Sequence, residues 1–220
     1  MFDNLTNPSE NLLDPMDRIS EILFGLIMVL TFTCSFSVAQ AGREELRTML
    51  VGALGCNLAW GVIDAVFYLL ACFSVQGRGI LQLRAVRTLI DPVQAYGVIA
   101  RALPPIVASV LSPAEFEVMR QRLSQLPEPP ARPSISRRDW LGALGVFLMV
   151  FVSTLPVVLP FTFIGDPRRA LRLSNIIAIV MLFLVGFRFG RYAGHRPWRM
   201  GVSMVILGSA MVGITISLGG

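Results

Sequence analysis

The sequence predicts an all-α, polytopic membrane protein, with five transmembrane helices and a small cytosolic helical insert. Three observations predict it. The chain of 220 residues is 54% hydrophobic and only 15% charged, where soluble domains carry nearer a quarter; its mean hydropathy is +0.66. Several apolar runs reach or approach the roughly 20 residues that span a bilayer. Apart from Asp64, the charged residues gather between those runs rather than inside them.

Residues 1–20 form a polar, acidic N-terminal tail without the basic start and short apolar core of a secretory signal, so no cleaved signal is expected. Residues 21–76 hold spans one and two. The first runs from about Ile22 to Ala39, behind a helix start at Asp14-Pro15-Met16-Asp17. The second runs from Met49 to Val75, long enough to tilt or to project beyond the hydrocarbon. Residues 77–138 form the insert. Residues 139–220 hold the last three spans: Leu141 to Ile164, with Pro156 and Pro160 inside it; Leu173 to about Phe187, marginal in length; and one from near Met200 almost to Gly220.

All nineteen basic residues are arginine. With the N-terminus in the cytoplasm, fourteen arginines fall in inside segments and five (Arg43, Arg47, Arg168, Arg169, Arg172) outside. The positive-inside rule therefore expects N-inside and C-outside. It also gives the net charge of +5 an explanation that needs no nucleic acid, and no zinc-finger spacing or aromatic-basic stripe suggests a nucleic-acid partner. A prokaryotic inner membrane is the expected location.

The insert carries helix signals of its own. Asp91-Pro92-Val93-Gln94 offers an N-cap and a first-turn proline, and that helix should stop before Pro104-Pro105. Ser112-Pro113-Ala114-Glu115 is a capping-box start, predicting a helix from Pro113 that buries Phe116, Met119 and Leu123. Pro127 to Pro133 reads as a proline-rich tether.

The chemistry points first to Asp64, the sole acid near the middle of the uncharged run from Met49 to Val75. A carboxylate at bilayer depth costs about 2.5 to 3.5 kcal/mol on insertion scales, so it faces a bundle interior, a water path or a cation. Tyr68 and Cys72 follow at i+4 and i+8, and Asn57 lies two turns before, near the same stripe. Hard oxygen with softer sulfur suits a borderline divalent cation such as Fe²⁺ or Mn²⁺. The structural alternative stands beside it: Asp64 bonds a neighbouring helix, Tyr68 packs, and Cys72 acts as a small apolar residue. In the first span, Glu21 sits at the cytoplasmic mouth, either as a ligand or as a charge on the helix dipole, and Met28 lies on the same side. Pro156 and Pro160 either break the third span, as in many binding sites within membranes, or merely kink it. Glu115 and Glu117 read better as parts of an amphipathic surface helix than as metal ligands. His195 is the only histidine, no HExxH or cysteine-pair motif exists, and Cys34, Cys56 and Cys72 all fall in apolar runs. A catalytic zinc, a disulfide framework, a glycine-rich phosphate loop and a tightly bound cofactor are not expected, nor is an enzyme.

Two local motifs carry a family resemblance. Asn57-Leu58-Ala59-Trp60-Gly61-Val62-Ile63-Asp64-Ala65 resembles a second-span stretch ending in an acid followed by alanine, and Leu155-Pro156-Val157-Val158-Leu159-Pro160-Phe161 is similar to a double-proline signature. Together with five spans, an insert between spans two and three, and glycine-spaced last spans, the chain resembles the vacuolar iron transporter (VIT/CCC1) family. The resemblance implies export of Fe²⁺ or Mn²⁺ from the cytosol, coupled to protons, by a homodimer whose first spans line the path. It places Asp64 at the second-span acid, Tyr68 where a methionine is usual, and Cys72 where a further sulfur or carboxylate ligand is common. The chain also departs from the pattern. Phe24 precedes Gly25 where the family has an aspartate, leaving Glu21 as the substitute carboxylate, and the insert has three glutamates among nine arginines. A basic insert repels cations. The alternatives are therefore a transport-deficient membrane scaffold or regulator with the same fold, and a transporter of another solute, such as an anion drawn by the insert.

Overall fold

The computed structural model describes Ile19, Ile22, Leu23, residues 25–28 and residues 43–217. Residues 25–28 are helical, and the helices that follow are α1 (Arg43–Thr88), α2 (Pro92–Ala102), α3 (Pro105–Val110), α4 (Pro113–Gln125), α5 (Arg137–Phe163), α6 (Pro167–Tyr192) and α7 (Pro197–Ser217). Among the described residues there is no β-strand. Arg47–Thr88, Arg137–Phe163 and Pro167–Tyr192 are each long and apolar enough to cross a membrane. This is an all-α integral membrane protein. Of the five expected spans, the first lies only partly within the described residues, and the fifth coincides with α7. The described residues divide into two compact units, one of residues 70–137 and one of the described residues before 70 with those from 138 onward, and α1 supplies residues to both.

In the membrane unit, Met49, Ala53, Asn57, Gly61 and Tyr68 are buried, four or seven residues apart, as one face of a helix requires. That face meets α5 in antiparallel register. Asn57 reaches Phe151 and Thr154, Gly61 lies against Phe147, and Gly142 lies against the Tyr68 ring. Leu26, Val157, Val158, Ala178 and Leu182 form one apolar cluster, and Met49, Phe161 and Ala170 another. Membrane helices gain nothing by hiding apolar surface from lipid, so close backbone approach through small residues holds them instead. The α6–α7 hairpin shows this most clearly. A Cβ at Gly186 would lie 2.7 Å from the Met200 carbonyl oxygen, and one at Gly190 would lie 2.8 Å from Pro197 Cα. Gly194, at φ +67°, makes the turn between them, and the His195 N–H donates to the Gly190 carbonyl at 2.9 Å, closing the end of α6.

Several span limits differ from those expected. The second span extends into α1, an unbroken helix of 46 residues, about 69 Å long; no proline interrupts it, and single glycines at 77 and 79 cost only about 1 kcal/mol each. The fourth span is not marginal. α6 has 26 residues, because Arg168, Arg169, Arg172, Arg188 and Arg191 lie inside it. Long arginine stems lie along apolar surface while the guanidinium reaches out, so arginines near a helix end do not end the helix. Its start is set by Asp166, whose Oδ1 accepts from the Arg168 N–H at 3.0 Å, with Pro167 in the first turn. α5 runs unbroken through Pro156 and Pro160, so the prolines do not divide the span. Near them, the buried Ser174 Oγ of α6 donates to the Val157 carbonyl at 2.7 Å, giving an α5 backbone oxygen a second partner.

The second unit is held by polar contacts. Asp91 caps α2, its Oδ1 accepting from the Val93 N–H at 2.9 Å, and α2 stops before Pro104 as expected. α3 was not foreseen: Pro104 is extended and Pro105 opens a new short helix, a position where proline is favoured. α4 starts at Pro113 with its capping box complete. The expected burial of Phe116, Met119 and Leu123 is only partial, for all three are half-buried; Phe116 instead stacks on Tyr96 of α2, with ring centroids 5.9 Å apart. A helix with few apolar residues covers its stripe with one neighbour, not a full core. The proline-rich segment is tied to α1. Arg87 donates to the carbonyls of Leu123, Leu126 and Pro127, Arg84 to those of Pro130 and Ala131, and the Gln76 side chain accepts from the Ser134 N–H at 2.6 Å.

Candidate functional site

The sequence-derived stripe on α1 resolves into residues with different fates. Asn57 is fully buried, and its amide nitrogen donates to the Phe151 carbonyl at 3.3 Å and to the Thr154 hydroxyl. Its Oδ1 is buried and accepts nothing from the described residues. Tyr68 is buried against Gly142, where a Cβ would come within 2.6 Å of the ring. Both side chains turn toward α5 and hold the α1–α5 contact. Asp64 is different. It is half-buried, lies between the buried positions Gly61 and Tyr68, and among the described residues no donor or cation bonds its carboxylate. Cys72 is buried and belongs to the second unit. Glu21 lies outside the described residues.

Spacing along the helix limits what these groups can share. Asn57 and Asp64 are seven residues apart, about 10 Å along the axis, too far for both to hold one ion through bonds of about 2 Å. Asp64 and Tyr68 are one turn apart and can approach one centre, but the Tyr68 ring is committed to α5. Among the described residues no group of three His, Cys, Asp or Glu side chains converges as a metal site. One helix face cannot close such a site, so any partner for Asp64 must come from another helix or another chain.

A sulfur pair escaped the sequence reading. The Cys56 thiol of α1 donates to Met28 Sδ at 3.4 Å, joining α1 to helical residues 25–28. Both residues were visible in apolar runs, and Met28 stands a helix repeat after Glu21, but nothing in periodicity pairs positions 28 apart in the chain. Glu115 and Glu117 are engaged elsewhere. Glu115 closes the α4 cap, and Glu117 accepts from Tyr96 at 2.9 Å, from Arg120 at 2.7 and 2.8 Å and from Gln121 at 2.9 Å. These carboxylates build the unit and are not open to an ion.

The geometry defines a class: an integral membrane protein of glycine-packed helices whose second-span helix holds, at Asp64, a carboxylate that no described residue partners. The particular family follows from comparison. The sequence model of the VIT family matches residues 81–220, more than half of the chain, and the protein belongs to the VIT family. Over 123 residues it is 26% identical to Vacuolar iron transporter 2 of Oryza sativa subsp. japonica, a stretch covering 54% of this chain and 47% of that protein. The chain thus spans about half the length of the curated relative it matches. The family match begins at Leu81 and does not include Asp64, whose significance therefore rests on the second-span motif and the geometry.

Proposed function

We propose that the protein carries a divalent metal ion, Fe²⁺ or Mn²⁺, across the membrane and out of the cytosol, acting as a transporter and not an enzyme. The observation that carries the proposal is Asp64: a half-buried carboxylate within an apolar helix, with no partner among the described residues, in a chain of the VIT family. A charge held there without a partner costs several kcal/mol unless a cation or water meets it. Asp64 is the central ligand in this reading. The remaining ligands come from the first span or from a second copy of the chain, since α5 already engages the Asn57 amide and the Tyr68 ring. A homodimer with the Asp64 faces together supplies two carboxylates to one ion, and protons exchange at the same oxygens when the ion leaves. The orientation is N-inside with residues 78–138 in the cytoplasm, as the arginine distribution favours.

The test is metal flux into proteoliposomes. Asp64→Asn keeps the shape and hydrogen bonding of the side chain but removes its charge. It should abolish most Fe²⁺ or Mn²⁺ flux in protein that still folds and reconstitutes. Wild-type flux in the Asn variant would remove Asp64 from the mechanism. A second reading, a scaffold without transport, is favoured by one observation: Asn57 and Tyr68 are taken up by packing, so that among the described residues no three-ligand group forms. It predicts no flux in either protein.

A further inference from the structure

The turn between α6 and α7 carries a second feature, unrelated to Asp64. Gly194, His195, Arg196, Arg199 and Met200 line a shallow open basin of about 430 Å³. Arg199 also borders a groove of about 320 Å³ that continues along α7 past Trp198, Val202 and Ile206 and is almost wholly apolar. From Pro167 to Gly220 the sequence contains no Asp or Glu, and among the described residues neither Arg196 nor Arg199 forms an ion pair. The basin is therefore positive without internal compensation. It also sits at the start of α7, a helix of 21 residues, where the Arg199 and Met200 N–H groups already donate to the Arg196 carbonyl, so the two guanidinium groups are what the basin offers an anion. The floor is held in place by the Gly194 turn and the His195-to-Gly190 bond.

We infer that this basin and groove form a binding site for one anionic phospholipid, with Arg196 and Arg199 on the phosphate and an acyl chain along Val202 and Ile206. The continuity of a basic basin with an apolar groove, meeting at Arg199, is the shape of a lipid and not of a free anion. Trp198 marks the level of the interface: it is 68% exposed while its ring packs 5.3 Å from Phe183 and 5.8 Å from Phe187, the amphipathic placement typical of a membrane boundary. The exposed Tyr192 lies one turn before the basin. Two arginines near a membrane surface strengthen anionic-lipid binding by more than about tenfold.

Native mass spectrometry of the full chain in detergent, with phosphatidylglycerol or phosphatidylcholine added, tests this. Wild-type protein should retain one phosphatidylglycerol per chain under conditions that strip phosphatidylcholine. The Arg196→Gln/Arg199→Gln variant should lose that preference by at least about tenfold, and Arg101→Gln/Arg122→Gln in the second unit should keep it. Equal retention of both lipids, an undiminished preference in the Arg196/Arg199 variant, or equal loss in the Arg101/Arg122 variant overturns the site. Displacement of the lipid by millimolar inorganic phosphate also overturns it in favour of a free-anion site. Should the Arg196/Arg199 variant not fold, spin-labelled lipids in wild-type membranes decide. An immobilised fraction selective for phosphatidylglycerol and weakened by salt supports the site, and an unselective one refutes it.

Discussion

The two units of this chain are held together by opposite means. In the membrane unit the close contacts run through glycine: Gly61 on Phe147, Gly142 on Tyr68, Gly186 on the Met200 carbonyl, Gly201 on Phe183. In residues 70–137 the reverse holds. Arginine side chains of α1 cap carbonyls of the proline-rich segment, and Glu117 gathers Tyr96, Arg120 and Gln121, while α4 has no fully buried residue. The difference teaches how solvent chooses the adhesive. In lipid, apolar burial does not favour helix contact, so dispersion at short range must. The second unit buries Ile80, Val86, Ala95 and Ile99 but leaves Ile90, Ile106 and Val110 exposed, so caps and charge-assisted bonds supply much of what holds its short helices.

The strongest way to break the contrast is to add atoms at the glycine contacts. Gly186→Val would press against the Met200 backbone, which cannot turn away, and should destabilise by about 3 kcal/mol or more, seen as aggregation or a large fall in Tm in detergent. The three atoms nearest a Cβ at Gly142 all belong to Tyr68, so Tyr68→Ala should restore much of what Gly142→Val loses, whereas no side-chain truncation should restore Gly186→Val. Recovery in both would mean that the helices can slide apart freely. In the second unit, Arg87→Gln should cost about 1.5 kcal/mol and raise amide exchange in residues 123–127, leaving the membrane helices as they are. Unchanged exchange there would show that the proline-rich segment holds itself.

The smallest effect is a pH dependence confined to the second unit. The Arg120 guanidinium first, then Gln121 and Tyr96, hold the Glu117 carboxyl down at about 2, from an ordinary value of 4.5. A depressed carboxylate stabilises fully above its unfolded value, and that contribution is lost as pH falls toward its folded one. The α2–α4 contact should therefore hold at pH 5 and loosen between about 4.5 and 2, followed by the ring signals of Tyr96, and Glu117→Gln should remove that transition. Loosening already complete at pH 5 would show that Glu117 is not what holds the helices together.

The sequence by itself determined the membrane character, the starts of α2 and α4 and the singularity of Asp64. Each of these is local: a hydropathy run, a capping pattern within four residues, one charge in an apolar helix. It misread the ends of α6, because a hydropathy run stops at arginines although arginines near a helix end do not end the helix, and it missed α3, because Pro104-Pro105 reads as a stop when the second proline is also a start. Only the tertiary structure decided which members of the α1 stripe are engaged. Asn57 and Tyr68 share a face with Asp64, and nothing in that spacing tells that α5 occupies the first two and leaves the carboxylate without a partner among the described residues. Nor could it pair Cys56 with Met28, or join Arg196 and Arg199 to the groove along α7. Those depend on how closely one helix approaches another, which is set by glycines whose effect appears only when two backbones meet.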